Sequence, residues 1–104
     1  MGEKAYNIVI RPPARRELAA VKTYDERRIN DAVHANLVHR PATATRLKKP
    51  LHGVTPGFEY NPPLWQLSVG EFRVFYDVNE EAGTVFVRAV RHKTGGMTTE
   101  EIIR

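Results

Sequence analysis

Two short runs of this chain hold side chains suited to chemistry on a phosphate. Phe72-Arg73-Val74-Phe75-Tyr76 sets a guanidinium among aromatic and β-branched residues. Arg88-Ala89-Val90-Arg91-His92-Lys93 adds two guanidiniums, an imidazole and an ammonium. Fixed cations stabilise the charge that develops on a reacting phosphoryl group, and an imidazole exchanges protons near neutral pH. A third group, Arg46, Lys48 and Lys49, surrounds the apolar Leu47 and Leu51 in a stretch punctuated by proline and glycine. Its charge suits a polyanion's backbone.

Other chemistries are excluded or disfavoured. Cysteine is absent, which removes thiolate catalysis, disulfides and Cys-based metal sites. The four histidines, at 34, 39, 52 and 92, form no zinc spacing with carboxylates, and His34 and His39 are five apart rather than four. Neither a metal nor another cofactor is expected. The net charge of +4 and a pI near 9.7 point to an anionic partner, either nucleic acid or an acidic protein segment.

The elements that must position these residues follow from the pattern. A length of 104 residues with 41% hydrophobic content suits one core, so a single domain over residues 1–104 is expected. No apolar run approaches membrane length, and no signal-like segment follows Met1, which predicts a soluble cytoplasmic protein. Residues 5–10 predict a strand. Pro12 and Pro13 then open a helix whose apolar positions are Ala14, Leu18 and Val21. Asp25 serves as N-cap of a second helix with the stripe Ile29, Ala32, Val33 and Leu37, and Pro41 stops it. Residues 41–62 read as loop. Strands are predicted over 63–69, 72–78 and 84–91, joined by a Gly70-Glu71 turn and a loop over 79–83. Thr98 and Glu101 have capping-box spacing. The order β-α-α-β-β-β predicts an α+β fold, with an antiparallel sheet and a helical hairpin packed on one face.

Strand alternation assigns Trp65, Leu67, Val69, Val74, Tyr76, Val78, Val85, Val87 and Ala89 to the core face. The opposite parity gathers Gln66, Ser68, Arg73, Phe75, Phe86, Arg88 and His92 on one open face, with Lys48 and Lys49 overhanging it. Cations beside exposed aromatics suit single-stranded RNA.

The run from Leu64 to Val78, with Trp65, Leu67, Val69-Gly70-Glu71, Phe72-Arg73-Val74 and Tyr76, resembles the hairpin signature of the RelE/ParE superfamily of toxins. Leu47-Lys48-Lys49-Pro50-Leu51-His52-Gly53 is similar to that family's upstream segment, and Ala89-Val90-Arg91-His92-Lys93 to its terminal strand. The resemblance covers nearly the whole chain and implies the RelE-like fold and a place in a bacterial toxin–antitoxin pair. Ribonuclease members cut messenger RNA on the ribosome: the ribose 2′-OH attacks the adjacent phosphate and leaves a 2′,3′-cyclic end. By that resemblance Arg73 would stabilise phosphate charge, His92 would exchange protons, and Lys93 stands where an arginine is common. Arg46, Lys48, Lys49, Arg88 and Arg91 would bind RNA. An acidic antitoxin would hold the chain, anchored on Phe75 and Phe86.

The departures from the ribonuclease pattern are specific. Gln66 and Ser68 stand where RelE has lysines, and residues 94–104 contain no tyrosine. The function the resemblance implies for this chain is metal-independent, ribosome-dependent cleavage of messenger RNA that inhibits translation, and two alternatives stand beside it: a ParE-like poison of DNA gyrase, and a decayed member that only binds its antitoxin. Structural roles are also open, with Arg73 paired to Asp77, His92 at the surface, and Arg46, Lys48 and Lys49 as a solvated charge run.

Overall fold

The computed structural model describes residues 3–104. Eight elements follow in chain order: strand β1 (Asn7–Ile10), helices α1 (Pro12–Ala20) and α2 (Thr23–Leu37), strands β2 (Lys48–Leu51), β3 (Leu64–Val69), β4 (Phe72–Asn79) and β5 (Thr84–His92), and the short helix α3 (Thr99–Ile102). The α+β class holds. The strands form one sheet in the order β1-β5-β4-β3-β2. From β3 to β5 it is the expected antiparallel meander, and β2 adds an antiparallel edge strand to it, but β1 joins β5 in parallel, so the sheet is mixed. The parallel pair arises because α1 and α2 carry the chain across the sheet before the meander begins.

Local chemistry explains the element ends. Arg11 is extended and precedes Pro12 and Pro13, whose fixed φ and missing N–H groups suit the first turn of α1. The second helix starts at Thr23, two residues before the expected cap at Asp25. Asp25 and Glu26 instead lie in its first turn, where they complement the helix dipole. Gly70 closes the β3–β4 turn with φ +56°, a left-handed conformation that glycine adopts without strain.

The stretch over 41–62 is not all loop. Residues Lys48–Leu51 pair with β3 as an edge strand. This edge offers little to another chain. Pro50 has no N–H to donate, and the Lys48 N–H and C=O are engaged by Thr45.

Two cores sandwich the sheet. The larger packs Ala14 and Leu18 of α1 and Ile29, Val33 and Leu37 of α2 onto Trp65, Leu67, Val74, Tyr76, Val85, Val87 and Val90. Tyr76 is fully buried, and its hydroxyl donates to the Pro41 carbonyl at 2.7 Å. The smaller core lies on the opposite face: Leu64, Phe75 and Ala89 are covered by Ile102 and Ile103, with Phe58, Val54 and Met97 at its margin. The C-terminal segment is held there by the Thr98–Glu101 capping box and by a bond from the Gly57 N–H to the Ile103 carbonyl at 2.7 Å.

Candidate functional site

One extra residue in β5 rearranges the predicted site. Phe75 pairs with Ala89 and Tyr76 with Val87, so Arg88 is bulged out of register. A bulge places one more residue on its strand than on the partner and reverses side-chain parity beyond it. Val85 and Val87 face the helices as expected. After the bulge Val90 faces them too, while Ala89 joins the opposite core. Ala89 therefore leaves the face assigned to it by simple alternation, and so does His92.

His92 lies opposite Phe72, with ring centroids 4.9 Å apart, on the helix side of the sheet. Its Nε2 is 3.0 Å from a Glu71 carboxylate oxygen. Together with Lys22, Asp25, Arg28, Gly70 and Phe72 these two residues line an open cleft of about 490 Å³. Arg73 occupies the other face, paired across the ladder with Arg91. Its guanidinium donates to the Gly70 and Phe72 carbonyls at 2.7 and 2.8 Å. No carboxylate lies within 4.0 Å of it among the described residues, so the pairing with Asp77 does not form. Lys93 follows the strand, its N–H donating to the Glu71 carbonyl. Arg73 and His92 thus share one end of the β4–β5 pair but not one face.

The expected open face is partly closed. Phe75 has no exposed surface, because the C-terminal segment and Phe58 cover it. It offers no free anchor for a partner in this conformation. Phe86 is half-buried, with the Arg88 guanidinium 5.0 Å from its ring centroid.

Several predicted RNA-binding cations serve the fold instead. Arg88 is buried and forms a two-point pair with Asp77, at 2.7 and 3.2 Å. The same Asp77 carboxylate accepts from the Asn61 N–H at 3.0 Å. Lys48 is also buried, and its ammonium donates to the carbonyls of Asn36, in the last turn of α2, and Arg40, just beyond it, at 2.9 and 2.8 Å. Loss of hydration lowers its pKa from the ordinary lysine value. Arg91 is paired with Glu17 and donates to the Ile102 and Arg104 carbonyls at 2.7 and 3.0 Å. Lys49 and Arg46 remain exposed.

Glu17 is a residue that sequence reasoning passed over. It completes the edge of β5 where β1 has ended: one carboxylate oxygen accepts from the Val90 N–H at 2.9 Å, and the other meets Arg91. Its only sequence signal was its place beside Leu18 on the inward side of α1. Among the described residues, no cluster of three metal-ligating side chains occurs, and no helix is long and apolar enough to cross a membrane.

Comparison with known proteins adds the family to this geometry. The family model described as the ParE toxin of the type II toxin–antitoxin system parDE matches residues 8–95. The toxin–antitoxin complex RelBE2 from Mycobacterium tuberculosis superposes with a TM-score of 0.68 at 21% identity, covering 86% of this chain and 92% of that one. The archaeal RelE–RelB complex from Pyrococcus horikoshii gives 0.67 at 18% identity, covering 89% and 99%. At these identities the likeness is one of fold. No curated protein matches the sequence.

Proposed function

The chain belongs to the family of ParE toxins of type II toxin–antitoxin systems, and from that premise we propose that it poisons by binding, trapping DNA gyrase on DNA rather than cutting RNA. The observation that supports this reading is the separation of Arg73 from His92 by the sheet. Phosphodiester cleavage requires a proton acceptor and a phosphate-binding cation to reach the same scissile group in one geometry. The Arg88 bulge sends the imidazole and the guanidinium to opposite faces. The neighbouring cations Lys48, Arg88 and Arg91 are meanwhile committed to carbonyls or carboxylates of the fold. A gyrase poison needs no such centre.

The partner that holds the toxin is an antitoxin, and the +4 charge fits an acidic one. Arg46, Lys49 and half-buried Phe86 are the accessible members of the surface assigned to it and to RNA, and Leu47 beside Arg46 is 39% exposed.

Relaxed plasmid, purified gyrase and the full chain test the proposal. The expected result is loss of supercoiling with accumulation of DNA cut and covalently held by gyrase. Undiminished supercoiling at molar excess of toxin would overturn it. Ribosome-dependent RNA cleavage is the second reading, favoured by the absence of a carboxylate partner for Arg73 and by the His92–Glu71 pair. New messenger 5′ ends at fixed codon positions in a translating extract, lost in Arg73→Ala, would establish it instead.

A further inference from the structure

Both α1 and α2 pack on one face of the sheet, so the sides opposite their buried stripes point away from the molecule. Ala14 and Leu18 mark the buried stripe of α1; Ile29, Val33 and Leu37 mark that of α2. At 3.6 residues per turn, Arg16, Ala19 and Ala20 lie opposite on α1, and Tyr24, Arg27 and Asp31 lie opposite on α2. Arg15, Lys22 and Arg28 flank them. All nine are exposed, and Tyr24 retains 75% of its surface.

The charge of this surface is largely uncompensated. Of its five cations, only Arg28 has a carboxylate within 4.0 Å among the described residues, and that contact, to Asp25, is 3.8 Å long. Glu17, the acid nearest Arg15 and Arg16 in sequence, is turned inward to Val90 and Arg91. Asp25 and Glu26 are half-buried, which leaves Asp31 as the exposed acid on the outward side.

We infer that this outward face of α1 and α2 binds the phosphate backbone of duplex DNA. Its cations can meet phosphates without breaking close ion pairs. A protein partner is less suited, because stable protein interfaces centre on aromatic or aliphatic anchors, and this surface offers one tyrosine and two alanines. A single strand is less suited as well, since unpaired bases require several stacking surfaces. The charge and exposure stand by themselves; the choice of DNA over an RNA duplex rests on the gyrase reading, in which the toxin meets an enzyme already holding DNA.

Fluorescence anisotropy of the full chain with labelled duplex DNA, titrated at increasing salt, tests this. Neutralising about five phosphates predicts a slope of log K against log[salt] near −4.5. Arg16→Glu/Arg27→Glu, with an unchanged circular dichroism spectrum, is expected to weaken binding by more than about tenfold and to flatten the slope by about two. Arg104→Glu, an exposed residue of the C-terminal segment that covers the opposite face of the sheet, is expected to change affinity much less. No binding at low salt, equal loss in both variants, tighter binding of the matching RNA duplex, or better competition by polyglutamate than by DNA would each overturn the inference. The two proposals also fail separately. Duplex binding with the expected slope but intact supercoiling sinks the gyrase reading alone, and gyrase poisoning without duplex binding sinks this one.

Discussion

Replacing Arg88 by methionine tests whether that residue belongs to the fold or to a nucleic-acid surface. Arg88 is 7% exposed and Asp77 1%, and the pair is joined at two points. Removing one partner of a buried ion pair strands the other, at a cost of about 3–5 kcal/mol. The two possible deletions are not equivalent. Arg88 has a second acid within reach, since Glu59 lies 4.0 Å from its Nη1, whereas Asp77 would keep only the Asn61 N–H. Arg88→Met should therefore destabilise more than Asp77→Asn, which retains an oxygen acceptor and should cost about 1–3 kcal/mol. For a domain of this size about 4–8 °C is lost per kcal/mol, so Arg88→Met should lower Tm by at least roughly 12 °C. Thermal unfolding followed through Trp65, the one tryptophan of the chain, reads this directly. Arg88→Met/Asp77→Leu should recover much of the loss, because apolar pairs commonly replace buried ion pairs without penalty. An Arg88→Met protein with unchanged Tm would refute the reasoning and return Arg88 to the pool of surface cations.

Phe75→Ala should cost about 3–5 kcal/mol by opening a cavity beneath Ile102 and Ile103, with the urea midpoint falling accordingly; a stable variant that specifically loses antitoxin would restore Phe75 as a binding anchor. The C-terminal turn should loosen in acid. Its Glu101 carboxyl is held below the ordinary value of 4.5, first by the Thr98 backbone N–H and then by the Thr98 side chain. A carboxyl with a lowered folded pKa stabilises above its unfolded pKa, and that contribution is lost as pH falls through the folded value. The Ile102 and Ile103 methyl shifts should hold steady down to about pH 4.5 and move below it, earlier than the rest of the domain. In Thr98→Ala that separate step should vanish; its persistence would count against the capping box as its origin.

Much of the fold was legible because apolar periodicity is a strong signal where an element buries one stripe. Ala14 and Leu18, Ile29, Val33 and Leu37, and Trp65, Leu67 and Val74 all lie in the core that their spacing predicted. The edge strand β2 was hidden by Pro50, which argues against a strand unless its missing donor faces outward. The covering of Phe75 was hidden for a different reason. Only four residues, Thr99–Ile102, form α3, and packing by Ile102 and Ile103 depends on a tertiary approach that no local pattern encodes.

The functional reading turned on one residue of register, and its trace was present in the strand. Val85 and Val87 keep a period of two, but the next helix-facing valine is Val90, three residues on. An arginine inside that widened interval marks the place where a bulge can carry the extra residue, and Asp77 on the neighbouring strand supplies the charge that lets Arg88 be buried there. Strict alternation instead put His92 beside Arg73 and so assembled an acid–base and cation pair on paper. The bulge breaks that pair while leaving Val85, Val87, Ala89 and Val90 buried. Composition and family resemblance are insensitive to this difference, since both arrangements contain the same residues in the same order. Catalysis is not insensitive, because it requires both groups to reach one phosphate. The Arg88–Asp77 ion pair, which chemically does nothing to a substrate, is therefore the structural feature that weighs most heavily against a ribonuclease centre built from Arg73 and His92.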